Sequence, residues 1–201
     1  IVQKPIFVYC KFCMRMLDEL LQGVEVRSLV GDGTVAVGRL EFDSRKVVPG
    51  TLFFATRGTQ ADGHAYIPAA VAAGAAAVVC EELPAERPVG VTFVQVPDST
   101  VALGQVASAF YGHPSRRLKL VGVTGTNGKT TTATLLYRMF RRLGYKAGLI
   151  STVVYCVDER EIPSTHTTPD SIRLNAMMAE MVERGCEYCF MEVSSHSLVQ
   201  H

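Results

Sequence analysis

No charge of one sign dominates this chain. Its 20 Lys and Arg face 19 Asp and Glu, for a formal net charge of +1. That balance gives no global pull toward nucleic acid or an anionic membrane surface, so neither is expected as a partner. No apolar run approaches the ~20 residues that cross a bilayer. The N-terminal IVQKPIFVYCKFCM carries a short apolar patch, but no small-residue cleavage site follows it, so it does not read as a signal peptide. Without an export signal the expected location is the cytoplasm. Internal repeats and low-complexity segments are absent too. Met14 or Met16 is a candidate natural start, which leaves residues 1–15 as an extension of no assigned role.

Six cysteines are present, including Cys10-Lys-Phe-Cys13 and Cys186-Glu-Tyr-Cys189. Paired C-x-x-C knuckles can hold zinc when ~15–20 residues separate them. Here they stand at opposite ends of the chain, and the second pair overlaps an apolar strand pattern. Ordinary free thiols are the expectation.

The composition, 48% hydrophobic and 19% charged, suffices for a buried core. In the first half, LFFAT (52–56), AAAVVCE (75–81) and VTFVQV (91–96) read as strands punctuated by Gly and Pro. A helix is expected over residues 66–73, stopped by Gly74, and another after Pro97-Asp98-Ser99. Tyr111-Gly-His-Pro114 breaks the chain, because the residue before a proline avoids the helical region. The expected division is therefore a domain at 16–113 and a second at 114–201.

The second segment has an α/β rhythm. LKLVGV (118–123) is nearly all apolar, as in a strand covered on both faces. A loop and a helix from about Thr130 follow, with Leu135, Leu136, Met139, Phe140 and Leu143 at helical spacing. AGLIST (147–152) is the next strand, 153–163 a hairpin-like excursion, 171–184 a helix, and YCFMEV (188–193) a third apolar strand. The cluster Arg138, Arg141, Arg142 and Lys146 reads as the solvated face of its helix.

The loop TGTNGKT (124–130) carries the chemistry. A strict Walker A pattern needs glycine at 123, where valine stands. The physics is still that of a phosphate cradle. The first N–H groups of a helix lack intrahelical partners and, with the helix dipole, attract an anion. Gly125 and Gly128 allow close backbone approach. Lys129 can reach the β- and γ-phosphates, and Thr130 offers a hydroxyl to Mg²⁺. Glu192 ends the last apolar strand, on the edge where ligands of open parallel sheets gather, and a carboxylate there suits Mg²⁺. His166, Thr167 and Thr168 precede a helix; they could cap it or contact a phosphate or sugar. Ser194-Ser195-His196 are sequence neighbours, which is not a catalytic triad.

These motifs together resemble the Mur ligase family, most closely its MurE branch. TGTNGKT stands at 124–130, YGHPS at 111–115, HTTPD at 166–170 and MEVSSHSLVQH at 191–201. Asp43-Ser44-Arg45 resembles the family's DSR motif, and residues 50–79 its uridine-domain signature, including the DGH region. DSR and DGH are shared with the MurF branch, whereas HTTP and EVSSH favour MurE.

The resemblance implies an α/β fold: a small N-terminal UDP-binding domain, then an incomplete P-loop-type parallel-sheet ATPase domain. Gly125, Thr126, Asn127, Gly128, Lys129, Thr130 and Thr131 would bind ATP. Lys129 and Glu192 would be catalytic, and Thr130 and Glu192 would hold Mg²⁺. Phe42, Ser44, Thr59, Gln60 and Ala61 would line the uracil and diphosphate site. His166, Thr167, Thr168, Ser194 and Gln200 would hold UDP-N-acetylmuramoyl-dipeptide. Thr59 departs from the His, and His166 from the Asn, common in the family. The implied reaction joins a diamino acid to that substrate through an acyl phosphate. Family members carry a third domain for the amino acid, so the 201 residues are expected to be a fragment, inactive as a ligase by themselves. The alternatives are a MurF-type ligase, a non-catalytic UDP-sugar-binding module, and a P-loop GTPase or kinase.

Overall fold

The computed structural model describes residues 14–58, 61–163 and 169–193. Packing divides the chain into two units, Ile1–Ser99 and Thr100–His201. The first contains β1 (Arg15–Met16), α1 (Leu17–Leu20), β2 (Ser28–Val30), β3 (Ala36–Val37), β4 (Arg39–Glu41), β5 (Thr51–Phe54), α2 (Ile67–Ala72), β6 (Ala75–Cys80) and β7 (Thr92–Gln95). The second contains α3 (Ser99–Phe110, its first residue counted with the first unit), β8 (Lys119–Val123), α4 (Lys129–Arg142), β9 (Ala147–Ile150), β10 (Val154–Val157), β11 (Arg160–Pro163), α5 (Ser171–Glu183) and β12 (Tyr188–Glu192).

The first unit is built on a five-stranded sheet in the order β2-β7-β6-β5-β4. β4, β5, β6 and β7 run parallel, and β2 is antiparallel to β7. Val47, Phe53, Ile67, Ala70, Val78 and Phe93 form its core against α2. Phe53 and Phe93 are fully buried, and truncating either to Ala would cost about 3–5 kcal/mol. The parallel strands end at one edge, from which the segments beginning at Phe42, Ala55 and Glu81 emerge.

The second unit has the order β11-β10-β9-β12-β8. β9, β12 and β8 are parallel; β10 and β11 complete the sheet as an antiparallel hairpin. Because strand side chains alternate between faces, Ala147, Leu149, Cys156 and Phe190 pack with α4 residues Ala133, Leu136 and Phe140. Ile150, Tyr155, Val157 and Cys189 pack on the opposite face with Met178 and Met181 of α5. The result is a helix–sheet–helix sandwich, so both units are mixed α/β with parallel strands. Among the described residues, no helix is long and apolar enough to cross a membrane.

Among the described residues β8 stands last in the strand order, with Leu120 and Val121 40% and 36% exposed. One expectation is corrected. Arg141 is not on a solvated face. Its guanidinium reaches back to Asp158 and to Glu159 on the β10–β11 turn.

Candidate functional site

The second sheet places three oxygen-bearing side chains together. β8 ends at Val123 and leads into the loop, β9 ends at Ile150, and β12 ends at Glu192, with Glu192 paired to Val123 and Met191 to Ile150. β12 lies between the other two, so its final carboxylate has the loop after β8 on one flank and the residues after β9 on the other.

Gly128 caps α4 at φ 77°, a left-handed conformation that glycine adopts without strain. The Thr132 N–H closes the first turn on the Gly128 carbonyl at 2.8 Å. Thr130, in that turn, donates its hydroxyl toward the Glu192 carboxylate at 3.1 and 3.0 Å. Lys129 folds over the loop and donates Nζ to the Gly125 carbonyl at 2.6 Å. Thr126, Asn127 and Thr131 are exposed around it.

Sequence reasoning missed Thr152. Its N–H donates to Glu192 Oε2 at 3.0 Å and its hydroxyl reaches the same oxygen at 3.2 Å. Thr130 and Thr152 hydroxyls also approach to 3.5 Å. The available signal was the polar end of AGLIST, but its meaning depends on β9 being the parallel neighbour of β12. The set of carboxylate and hydroxyl oxygens fits a hard divalent cation such as Mg²⁺. The α4 N-terminus beside it fits a phosphate.

In the first unit, Phe42 and Ser44 follow β4, and Ala61 lies in the turn region after β5. β4 and β5 are adjacent, so these three residues share the carboxyl edge of that sheet. Phe42 is 38% exposed. Asp43 caps the turn carrying Ser44, accepting from the Arg45 N–H at 3.1 Å and its Nε at 2.9 Å. The Arg45 guanidinium chiefly holds the Asp43 carboxyl down, at about 2, against the opposing effect of burial. Thr59, Gln60, His166, Thr167, Thr168, Ser194 and Gln200 lie outside the described residues, as do Cys10 and Cys13.

Cys80, Cys156, Cys186 and Cys189 are free and buried. Burial pushes the Cys80 thiol to about 11 and the Cys189 thiol to about 12. Neither is poised as a nucleophile.

Known proteins match along the same lines. The Mur ligase family catalytic domain matches residues 37–111, and the Mur ligase middle domain residues 123–201. UDP-N-acetylmuramoyl-L-alanyl-D-glutamate--2,6-diaminopimelate ligases are similar: that of Bacteroides fragilis is 56% identical over 184 residues, that of Bacteroides thetaiotaomicron 54% over 185. Each alignment covers 92% of this chain, which spans about 38% of the length of these curated relatives. A solved structure of such a ligase superposes with a TM-score of 0.74 at 23% identity, over 94% of this chain and 37% of that one. A MurF ligase from Thermotoga maritima in complex with ADP reaches 0.54 at 23% identity, over 78% of this chain and 32% of that one. At that identity both show the fold alone.

Proposed function

The chain belongs to the Mur ligase family, and from that premise we propose that the full-length protein is an ATP-dependent ligase. It joins a diamino acid to UDP-N-acetylmuramoyl-L-alanyl-D-glutamate. The diamino acid we infer is 2,6-diaminopimelate, the one in the names of its relatives. One observation supports the reading most directly: the Thr130, Thr152 and Glu192 oxygens gather at the N-terminus of α4 beside Lys129.

The chemistry needed is activation of a carboxylate, which by itself is a poor acceptor for an amine. The terminal carboxylate of the dipeptide attacks the γ-phosphorus of ATP, giving an acyl phosphate and ADP. The amine of the diamino acid then attacks the acyl carbon, the amide forms, and inorganic phosphate leaves. Positioning and charge neutralisation dominate phosphoryl transfer, so no protein nucleophile is required.

Residues 124–131 would cradle the triphosphate with their N–H groups, and Lys129 would move from the Gly125 carbonyl to a phosphate oxygen. Thr130 and Glu192 would hold Mg²⁺, which neutralises charge on the phosphates, and Thr152 would fix the Glu192 carboxylate. Phe42, Ser44, Thr59, Gln60 and Ala61 would receive the uridine diphosphate. His166, Thr167, Thr168, Ser194 and Gln200 would receive the muramoyl-dipeptide. ATP and a UDP-linked substrate imply a cytoplasmic enzyme.

The test is phosphate release by the full-length protein. It should require ATP, Mg²⁺, UDP-N-acetylmuramoyl-L-alanyl-D-glutamate and diaminopimelate together. Release with lysine in place of diaminopimelate would change the amino acid. Release only with the tripeptide-linked substrate and D-alanyl-D-alanine would move the protein to the MurF branch.

A further inference from the structure

Asp62, Gly63 and His64 form a joint at the carboxyl edge of the first sheet. Asp62 Oδ1 accepts from the His64 N–H at 2.9 Å and lies 2.6 Å from His64 Nδ1. Across the ring, His64 Nε2 lies 2.9 Å from the Glu81 nitrogen and 3.3 Å from the Glu82 nitrogen. Backbone N–H groups only donate, so Nε2 is the lone-pair nitrogen, and the ring proton sits on Nδ1, donated to Asp62. The side chain is only 15% exposed and the bond from the Glu81 N–H is partly buried, which makes that N–H costly to leave unpaired.

Gly63 makes the joint tight. Its N–H donates to the Thr56 carbonyl at 2.9 Å. A Cβ at this position would lie 2.6 Å from that oxygen and 2.8 Å from the Thr56 nitrogen, both backbone atoms, so only glycine fits. Between Thr56 and Gly63, Arg57 bridges Asp62, and the Gly58 N–H donates to the Ala61 carbonyl at 3.0 Å. Arg57 and Gly58 thus meet Asp62 and Ala61 after β5, and His64 ties Asp62 to the residues that leave β6.

We propose that His64 is a positioning residue for the uridine nucleotide. As a neutral acceptor it latches Ala61 and Asp62 to the end of β6, and so fixes the edge from which Ala61 meets the diphosphate. This rests on the nucleotide reading given above. The charged groups around the ring are Asp62 on its own turn, Glu81 and Glu82 after β6, and Arg57 after β5, which pairs with all three.

Three forms of the full-length protein test this: wild type, His64→Phe, which removes the acceptor, and His64→Gln, whose carbonyl can accept. Hydrogen exchange of the Glu81 and Glu82 amides, read by mass spectrometry, needs no ligand. It should rise about tenfold in His64→Phe and recover largely in His64→Gln. The Kd for UDP, from titration calorimetry, should rise about tenfold in His64→Phe, while that for ATP stays within about twofold.

Unchanged amide exchange in His64→Phe would overturn the latch. Faster exchange with wild-type UDP affinity would overturn its role in positioning. If His64→Phe does not fold, His64→Ala is read by the same two measurements with the same outcomes. Faster exchange in the variant, in a protein whose wild type never binds UDP, keeps the latch and overturns the uridine reading instead.

Discussion

Thr130 Oγ1 lies 3.1 and 3.0 Å from the two carboxylate oxygens of Glu192, across 62 residues of sequence. One hydroxyl spanning both oxygens sets the carboxylate facing the first turn of α4. If that pair holds the cation, Glu192→Gln in the full-length protein should lower kcat about 10²–10³-fold, on the scale of losing one charge-stabilising group. Phosphate release at saturating substrates measures it. A loss below about threefold would remove Glu192 from the cation site.

Lys129 is held in the loop by the Gly125 carbonyl. Lys129→Ala should reduce turnover by about 10³-fold or more, with the UDP-linked substrate still bound. Near-normal turnover would sink the phosphate assignment of the loop.

Thr152→Val keeps shape and leaves the backbone N–H on Glu192, but deletes the 3.2 Å hydroxyl contact. The Mg²⁺ concentration for half-maximal ATP turnover should rise about tenfold, the usual consequence of losing a group that orients a metal-binding carboxylate. The maximal rate should fall less. An unchanged Mg²⁺ requirement would make the contact incidental.

The buried thiols should be silent. With Cys80 pushed to about 11 and Cys189 to about 12 by burial, almost no thiolate exists near neutrality. Iodoacetamide at about pH 8 should label neither in the folded protein and both after denaturation. Peptide mass spectrometry separates these sites from the other cysteines. Rapid labelling of Cys189 in the folded state would contradict its burial.

Asp43 makes an acid prediction. Its carboxyl is lowered to about 2, chiefly by Arg45. A depressed folded-state value adds stability above the unfolded value of about 3.9, and that stability is lost as pH falls through the folded one. Arg45 is 86% exposed, so Asp43→Asn should cost only about 1 kcal/mol near neutrality. The gap in unfolding free energy should narrow as pH drops from about 4 toward about 2. A constant gap would place the contribution elsewhere.

Several elements were legible in the sequence: α4 from helical spacing, α5 from its Pro169-Asp170 start and Gly185 stop, β6, β7 and β12 from apolar runs, the β10–β11 hairpin from its position. β1, β2, β3 and β4 are only two or three residues long, too short to show a period, and pairing rather than propensity forms them. Thr130 could be named from the loop motif and Glu192 from its strand end. Thr152 could not, since its contact with Glu192 exists only through the order β9-β12-β8, a relation between segments that no local pattern encodes.

That order also has a consequence in time. β8 and β9 emerge first from the ribosome, but they are not neighbours; β12 belongs between them. Until β12 is made, no strand joins the elements that carry Thr130 and Thr152, and the Glu192 carboxylate that both contact is missing. Closing such a sheet with a late central strand is a non-local step of folding. The cation-ready cluster therefore comes into being in the same event that seals the sheet, and a nascent chain that stalls before Tyr188 exposes a glycine loop with no acid behind it.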